Sequence, residues 1–425
     1  ADTWATDDTA SLTLNGKTLT YTVGSAVTTS DVAEGMARMV NGEAVEDAES
    51  RNTTGTAIGE LAEIEASSSG AVLTLTSPTA GVGFETITPA ESTAGDGTVG
   101  AQSVVQAATG KHWLTNTANW HSGGAPSAGD TLIFADGDVD CLYGLGDLAN
   151  RVNVVRRGQY TGNIGLPVIN RDNAALPYYE HVTPFVNVDA GSEHTAPATI
   201  GDGTGSSAGR TYLESGADGD TTIVVNDTAT ANSDGTMPVT LVGNGLAVRV
   251  IRGNVDIGNR GSDIATIEEL LIGQPGDAGQ TIAVVVAGTI GTSASIEQLS
   301  GTMTLDADTG TANATIALRG GILSIVSGAH DDPVVYGGTL RYNSAGALGD
   351  ITVHSGGVLD FEQDPRSKTV ASVIVIRNGQ AKPAIYDQFG SMGNPTGGFD
   401  LLNCSWDDVD YRGEKKSKTW APSDL

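Results

Sequence analysis

From about Thr211 onward, apolar and polar residues alternate in short runs broken by glycine. Examples are "TTIVVND", "LAVRVIRGNVDIGN", "TIALRGGILSIVSG" and "ITVHSGGVLDFEQ". A period of two predicts strands with one buried face. Gly320-Gly321-Ile322-Leu323 returns as Gly337-Gly338-Thr339-Leu340 and again as Gly356-Gly357-Val358-Leu359. A recurring unit of roughly 13 to 22 residues, each strand–turn–strand, predicts a solenoid rather than a sandwich. The expected turn glycines are Gly253, Gly288, Gly301, Gly321, Gly338, Gly357 and Gly379. Stacked coils must turn at the same place each time, and a Cβ there would clash. Ile322, Leu340 and Leu359 are expected to form one inward ladder, with Thr, Ser, Arg and Asp facing out. About nine or ten coils at ~4.8 Å each give a rod of roughly 45 Å.

The first 90 residues read differently. "ASLTLNGKTLTYTVG" (Ala10 to Gly24) alternates around Asn15-Gly16, a hairpin signal. In "TTSDVAEGMARMVN", Val32, Met36, Met39 and Val40 fall at helical spacing, with Thr29 or Ser30 as the expected cap. "GAVLTLTSPTAG" and "FETIT" supply two more strands. The predicted fold class is therefore mainly β: a right-handed parallel β-solenoid preceded by a small α+β (ββαββ) domain. The predicted divisions are 1–90 for the small domain, a candidate anchor, and 91–110 for a linker. An irregular β region over 111–210 is expected to cap the solenoid of 211–390, and 391–425 forms a C-terminal cap and basic tail.

Composition narrows the function classes. The chain has 425 residues, 57 of them Gly, and a formal charge of -29 from 51 acidic and 22 basic residues. Such a surface repels phosphate backbones, so nucleic acid is not an expected partner. Cys141 and Cys404 lie far apart and are expected to be two free buried thiols. No apolar run approaches the ~18–20 residues of a membrane span. "ADTWATDD" carries no secretion signal, and Ala1 fits loss of an initiator Met, so a protein that never used a leader is expected.

Candidate chemistry is sparse. Asp136, Asp138 and Asp140 alternate as the first Ca²⁺ ligands of an EF-hand loop do. Cys141 stands where that loop needs Gly, and Asp147 where it needs Glu, so solvated or turn-forming Asp is favoured over Ca²⁺; no cofactor is expected. Glycan-cleaving solenoids need two or three carboxylates, or a carboxylate beside Arg or Lys, on one wall. "LDFEQDPR" supplies Asp360, Glu362, Asp364 and Arg366, and "HDDP" supplies His330, Asp331 and Asp332. Only 5% of residues are aromatic, too few for the platforms of a sugar groove, so no catalytic site is assigned. The basic run from Arg412 to Lys418, with Lys415, Lys416 and Lys418, stands out in an acidic chain as a candidate partner contact.

Two stretches carry a resemblance. "SLTLNGKTLTYTVGSAVTTSDVAEGMARMVN…AVLTLTSPTAG…FETIT" (Ser11 to Thr88) resembles a small domain of structural proteins in tailed bacteriophages and prophages. "NWHSGGAPSAGDTLIFADGDVDCLYGL…YTGNIGLP" (Asn119 to Pro167), followed by Gly-rich repeats, is similar to phage-encoded proteins of the same type. The resemblance implies a virion component, a capsid decoration or head fibre or a tail part, made in the host cytoplasm. Its implied partners are the major capsid protein and copies of itself, with a trimer favoured. The alternatives are a tail fibre, tailspike or surface adhesin, and after these a glycan depolymerase.

Overall fold

The computed structural model describes residues 3–14, 17–24, 27–43, 64–78, 88–92, 97–101, 103, 110–127, 129–145, 152–165, 186–188, 197–204, 209–215, 221–228, 237–258, 265–274, 281–308, 314–393 and 395–413. The chain is mainly β, with 55% strand and 6% helix, and carries a parallel β-solenoid of about nine turns. It divides into two compact units. One holds Ala1–Ser127, Val139–Ala149 and Gly162–Val186, the other Ala128–Asp138, Asn150–Thr161 and Asn187–Leu425.

In the first unit, strands Thr9–Leu14 and Lys17–Thr22 pair antiparallel, with Leu14 opposite Lys17 across Asn15-Gly16. A third strand, Thr88–Ser92, joins the other edge of Thr9–Leu14. The helix Thr29–Val40 begins one residue earlier than the capping expectation. Its N-cap is Thr28, because Asp31 three residues on closes a capping box with it. The helix buries Val32, Met36 and Val40 in a core with Trp4, Leu19, Tyr21 and Ile64. Asn41 ends it and bonds both Ala66 O (2.9 Å) and Ala66 N (2.8 Å) on the strand Glu65–Ser69. That strand forms its own hairpin with Val72–Thr76, so the expected four strands fall into separate sheets. Most of "FETIT" lies outside the described residues. Part of the expected linker is packed: Val99 lies against this core and its N–H bonds Glu91 at 2.6 Å.

The second unit is the solenoid. Its parallel ladder begins at Thr131–Gly137 and Asn153–Tyr160, earlier than Thr211, and continues to Asp410–Gly413. Strands inside 111–210 therefore belong to the solenoid itself. Every rung sits on the preceding one through parallel pairing. On one wall the inward ladder runs Phe134, Arg156, Ile200, Val225, Val250, Ile272, Gln298, Leu318, Val335, Val353, Val375, Leu401. On the other wall Val255, Val284, Met303, Leu323, Leu340, Leu359 and Ile385 stack in register. The expected ladder of Ile322, Leu340 and Leu359 is thus one residue out at its first member. Leu323 points in and Ile322 pairs Thr339 beside it, because each one-residue step along a strand changes face.

The turn glycines act in two ways. Gly301, Gly321 and Gly338 have φ near +80°, and a Cβ on Gly321 would lie 2.2 Å from Gly301 O of the coil before. Both the handedness and the stacking distance exclude a side chain there. In Gly356-Gly357 the left-handed residue is Gly356, at φ +83°, rather than the expected Gly357. A Cβ on Gly357 would instead meet Val335 O at 2.7 Å, so its requirement is close approach alone. Gly253 is left-handed at φ +119°. Gly379 has no left-handed φ and lies beside Ser355. Gly288 sits within a strand, paired with Ala307.

Candidate functional site

The carboxylates singled out in the sequence stand on the solenoid's turns and outer rows. Outward from the Leu323–Leu340–Leu359 ladder runs a polar row in strict register: Thr304, Ser324, Arg341, Asp360, Tyr386, Arg412. Parallel stacking brings each of these against its neighbours one coil away, near 4.8 Å. Asp360 is buried to 6% exposure, pairs with Arg341 at 3.5 Å and accepts the Glu362 N–H at 2.8 Å. Arg412, the one member of the expected basic contact among the described residues, lies 4.2 Å over the Tyr386 ring and pairs with Asp410 at 3.1 Å. Lys415, Lys416 and Lys418 lie outside the described residues.

Asp364 is held more tightly. Its carboxylate accepts Arg366 Nε at 2.9 and 3.0 Å and the Arg366 N–H at 3.1 Å, and it contacts the buried Lys368 ammonium. The Arg366 hydrogen bonds, aided by those from Lys368, hold this carboxyl well below the usual carboxylate range. Arg366 reaches on to Asn343 O at 2.9 Å, so the group fastens a turn to the coil before it.

The "HDDP" residues are also structural. His330 is fully buried, and its Nε2–H donates to Ser327 O at 2.9 Å while its ring meets Tyr342 edge-on. Asp332 adopts φ +42° and accepts the Asp350 N–H at 2.9 Å. In the first unit, Asp140 accepts Asn163 N at 2.7 Å and Asn163 Nδ2 at 3.0 Å. That is a turn role, while Asp136 and Asp138 are exposed. Among the described residues, no group of three or more His, Cys, Asp or Glu is placed to hold a metal ion. Cys141 and Cys404 are free thiols, the first buried and the second half-buried. Burial pushes the Cys141 thiol up to about 12, which leaves it a poor nucleophile at neutral pH.

Two features were not anticipated from the sequence. One is the buried pair Arg156–Asp227, at 3.3 Å, with Arg156 also donating to Thr211 Oγ1 and Tyr160 O. Arg156 sits where an aliphatic residue is expected. Only the alternation of its neighbours in "RVNVVRRGQY", which puts one of the two arginines inward, hints at it. The other is an outward row without carboxylates that ends apolar: Arg319, Tyr336, His354, Ile376, Leu402. The unbroken apolar run "VIVI" (Val373 to Ile376) is its trace in the sequence, since alternate residues of such a run must face out.

Comparison with protein-family models, with curated proteins and with solved structures returns no match for this chain.

Proposed function

We propose that this chain is a non-enzymatic structural protein of a phage virion, a capsid decoration or head-fibre protein that assembles on the particle surface. The observation that supports it best is how the solenoid uses its acids. Asp360 is spent on Arg341, Asp364 on Arg366 and Lys368, and Asp332 on the Asp350 N–H. Asp360 and Asp332 brace one coil against the next, and Asp364 holds its own turn while Arg366 ties that turn to Asn343 of the coil before, which suits a rigid building element. The resemblance of Ser11–Thr88 and Asn119–Pro167 to phage structural proteins supplies the particle. The acidic surface favours protein partners, the major capsid protein first among them, and other copies of this chain.

A second reading keeps the solenoid and changes its address: a tail fibre, tailspike or surface adhesin with one wall for binding. The 40% exposure of Tyr336 and of Leu402 on one outer row favours it. Gold-labelled antibody against this chain, applied to particles from the source lysate, separates the two. Label over heads is the expected result. Label confined to tails selects the second reading. Label on cell envelopes with bare particles sinks the virion reading and leaves an adhesin. A chain lacking residues 1–100 is expected to lose attachment, and its retention would rule out the first domain as the anchor.

A further inference from the structure

Asparagine followed by glycine is a chemically labile pair. The glycine nitrogen can close on the asparagine side-chain carbon, because no Cβ bars its approach. The sequence holds four such pairs: Asn15-Gly16, Asn41-Gly42, Asn244-Gly245 and Asn378-Gly379. The first lies outside the described residues. Asn41 and Asn378 are clamped at both reacting groups. Asn41 Nδ2 donates to Ala66 O at 2.9 Å, its Oδ1 accepts the Ala66 N–H at 2.8 Å, and the Gly42 N–H donates to Met39 O at 3.1 Å. Asn378 Nδ2 donates to His354 Nδ1 at 3.0 Å, and the Gly379 N–H donates to Ser355 Oγ at 2.9 Å. In both pairs the attacking nitrogen and the leaving amide are held in separate hydrogen bonds, which must break before ring closure.

Asn244-Gly245 is different. It forms a corner of one solenoid coil. The chain before it, up to Gly243, pairs with Thr211–Ser215, and the chain after it, from Leu246, pairs with Thr221–Asn226. Neither Asn244 nor Gly245 has a ladder partner in either neighbouring coil. Gly243 and Gly245 flank Asn244 with φ of +101° and +62°, backbone that glycine adopts freely. Asn244 is exposed, and its side chain has one partner among the described residues. That partner is Thr266 of the next coil, whose Oγ1–H donates to Asn244 Oδ1 at 3.2 Å.

We propose that Asn244 is a self-modification site, which deamidates through a succinimide ring with the Thr266 hydroxyl assisting. The Gly245 nitrogen loses its proton to hydroxide and bonds to Asn244 Cγ. Negative charge gathers on Oδ1, where the Thr266 hydroxyl is already aimed. The Cγ–Nδ2 bond then breaks, and the nitrogen takes a proton from water and leaves as ammonia. A second water opens the ring at either carbonyl and leaves aspartate or isoaspartate. The sum is one water consumed and one ammonia released, with no oxidant or reductant. Either product adds a negative charge to the corner. Isoaspartate also adds a methylene to its main chain, where Ser215 Oγ holds Asn244 O. This inference does not rest on the virion reading.

The test is peptide mapping by mass spectrometry of the folded full chain, sampled over weeks at mildly alkaline pH, with isoaspartate scored by an isoaspartyl methyltransferase. Asn244 is expected to convert ahead of Asn41 and Asn378, to both aspartate and isoaspartate. Thr266→Val is expected to slow it roughly two- to tenfold, the worth of one solvent-facing hydrogen bond. Thr266→Ser keeps the hydroxyl and is expected to restore the rate. Ser355→Ala frees the Gly379 N–H and is expected to speed conversion of Asn378 by a similar factor while leaving Asn244 unchanged. An intact Asn244, earlier conversion of Asn41 or Asn378, aspartate without isoaspartate, or Thr266→Val no slower than the parent would each overturn the proposal.

Discussion

Asp364 shows how one side chain links pH to stability. Arg366, then Lys368, favours its charged form, so its folded pKa lies below the ordinary 3.8. A carboxyl with a depressed folded pKa binds fewer protons folded than unfolded. Its contribution is therefore full above about pH 4 and is lost as pH falls through the folded value. Asp364→Asn is expected to be less stable than the parent at pH 7, with the gap narrowing below about pH 4. Urea midpoints at pH 7 and pH 3 check this, and a gap that stayed constant would sink it. Asp227 makes a larger claim. Both members of the Arg156–Asp227 pair are essentially unexposed. Burial lowers the Arg156 pKa, and Asp227 opposes that shift. Asp227→Ala leaves a guanidinium uncompensated inside the solenoid and is expected to cost ~3–5 kcal/mol by urea denaturation. Replacing both residues with aliphatic ones is expected to cost much less, because no buried charge then remains.

The elements were unequally legible, and the reason is local against tertiary information. The hairpin at Asn15-Gly16 and the helix at 29–40 were read from turn chemistry and period, which are properties of adjacent residues. Leu323 holds the ladder position that the pattern gives to Ile322, because Gly-Gly-Ile-Leu offers two apolar candidates and only the register of the coil before chooses between them. The pattern does not choose between Gly356 and Gly357 for the same reason. The acids were visible as candidates, but their partners come from other coils or turns: Arg341 sits one rung from Asp360, and Lys368 reaches back to Asp364. Within the helix, Gly35 tests local against tertiary directly. Intrinsic propensity favours Gly→Ala by ~1 kcal/mol. Here the added Cβ would lie 2.2 Å from Cε2 of Tyr21, a ring that is itself fully buried. Overpacking of this kind costs ~1–3 kcal/mol, so Gly35→Ala is expected to destabilise the first unit. Thermal melts of the variant decide the sign.

At the scale of the solenoid, cohesion is nearest-neighbour. Each rung has a coil on either side except the first and the last: among the described residues Thr131–Gly137 pairs only with Asn153–Tyr160, and Phe399–Leu402 and Asp410–Gly413 pair only with the coil before them. In such an array stability is close to a sum of neighbour terms. Amides of the final rung are expected to exchange with solvent orders of magnitude faster than those of Thr315–Leu318 or Ala347–His354, and hydrogen exchange resolved by strand measures it. Exchange in one step throughout would show that the unit opens as a whole.

Rungs that look alike create a counting problem. A chain skipping one coil would still lay valine on leucine and lose little. Two inward positions break that tolerance. Arg156 needs Asp227 and Thr211 at their own heights. Gln298, buried in the same ladder, donates to Gly301 O in its own turn and to Ile322 O in the coil that follows. A slipped copy would strand the Arg156 guanidinium in hydrocarbon, at several kcal/mol, and would cost Gln298 its bond to Ile322. They serve as addresses in an otherwise repetitive text, so that the nascent solenoid proofreads its own winding.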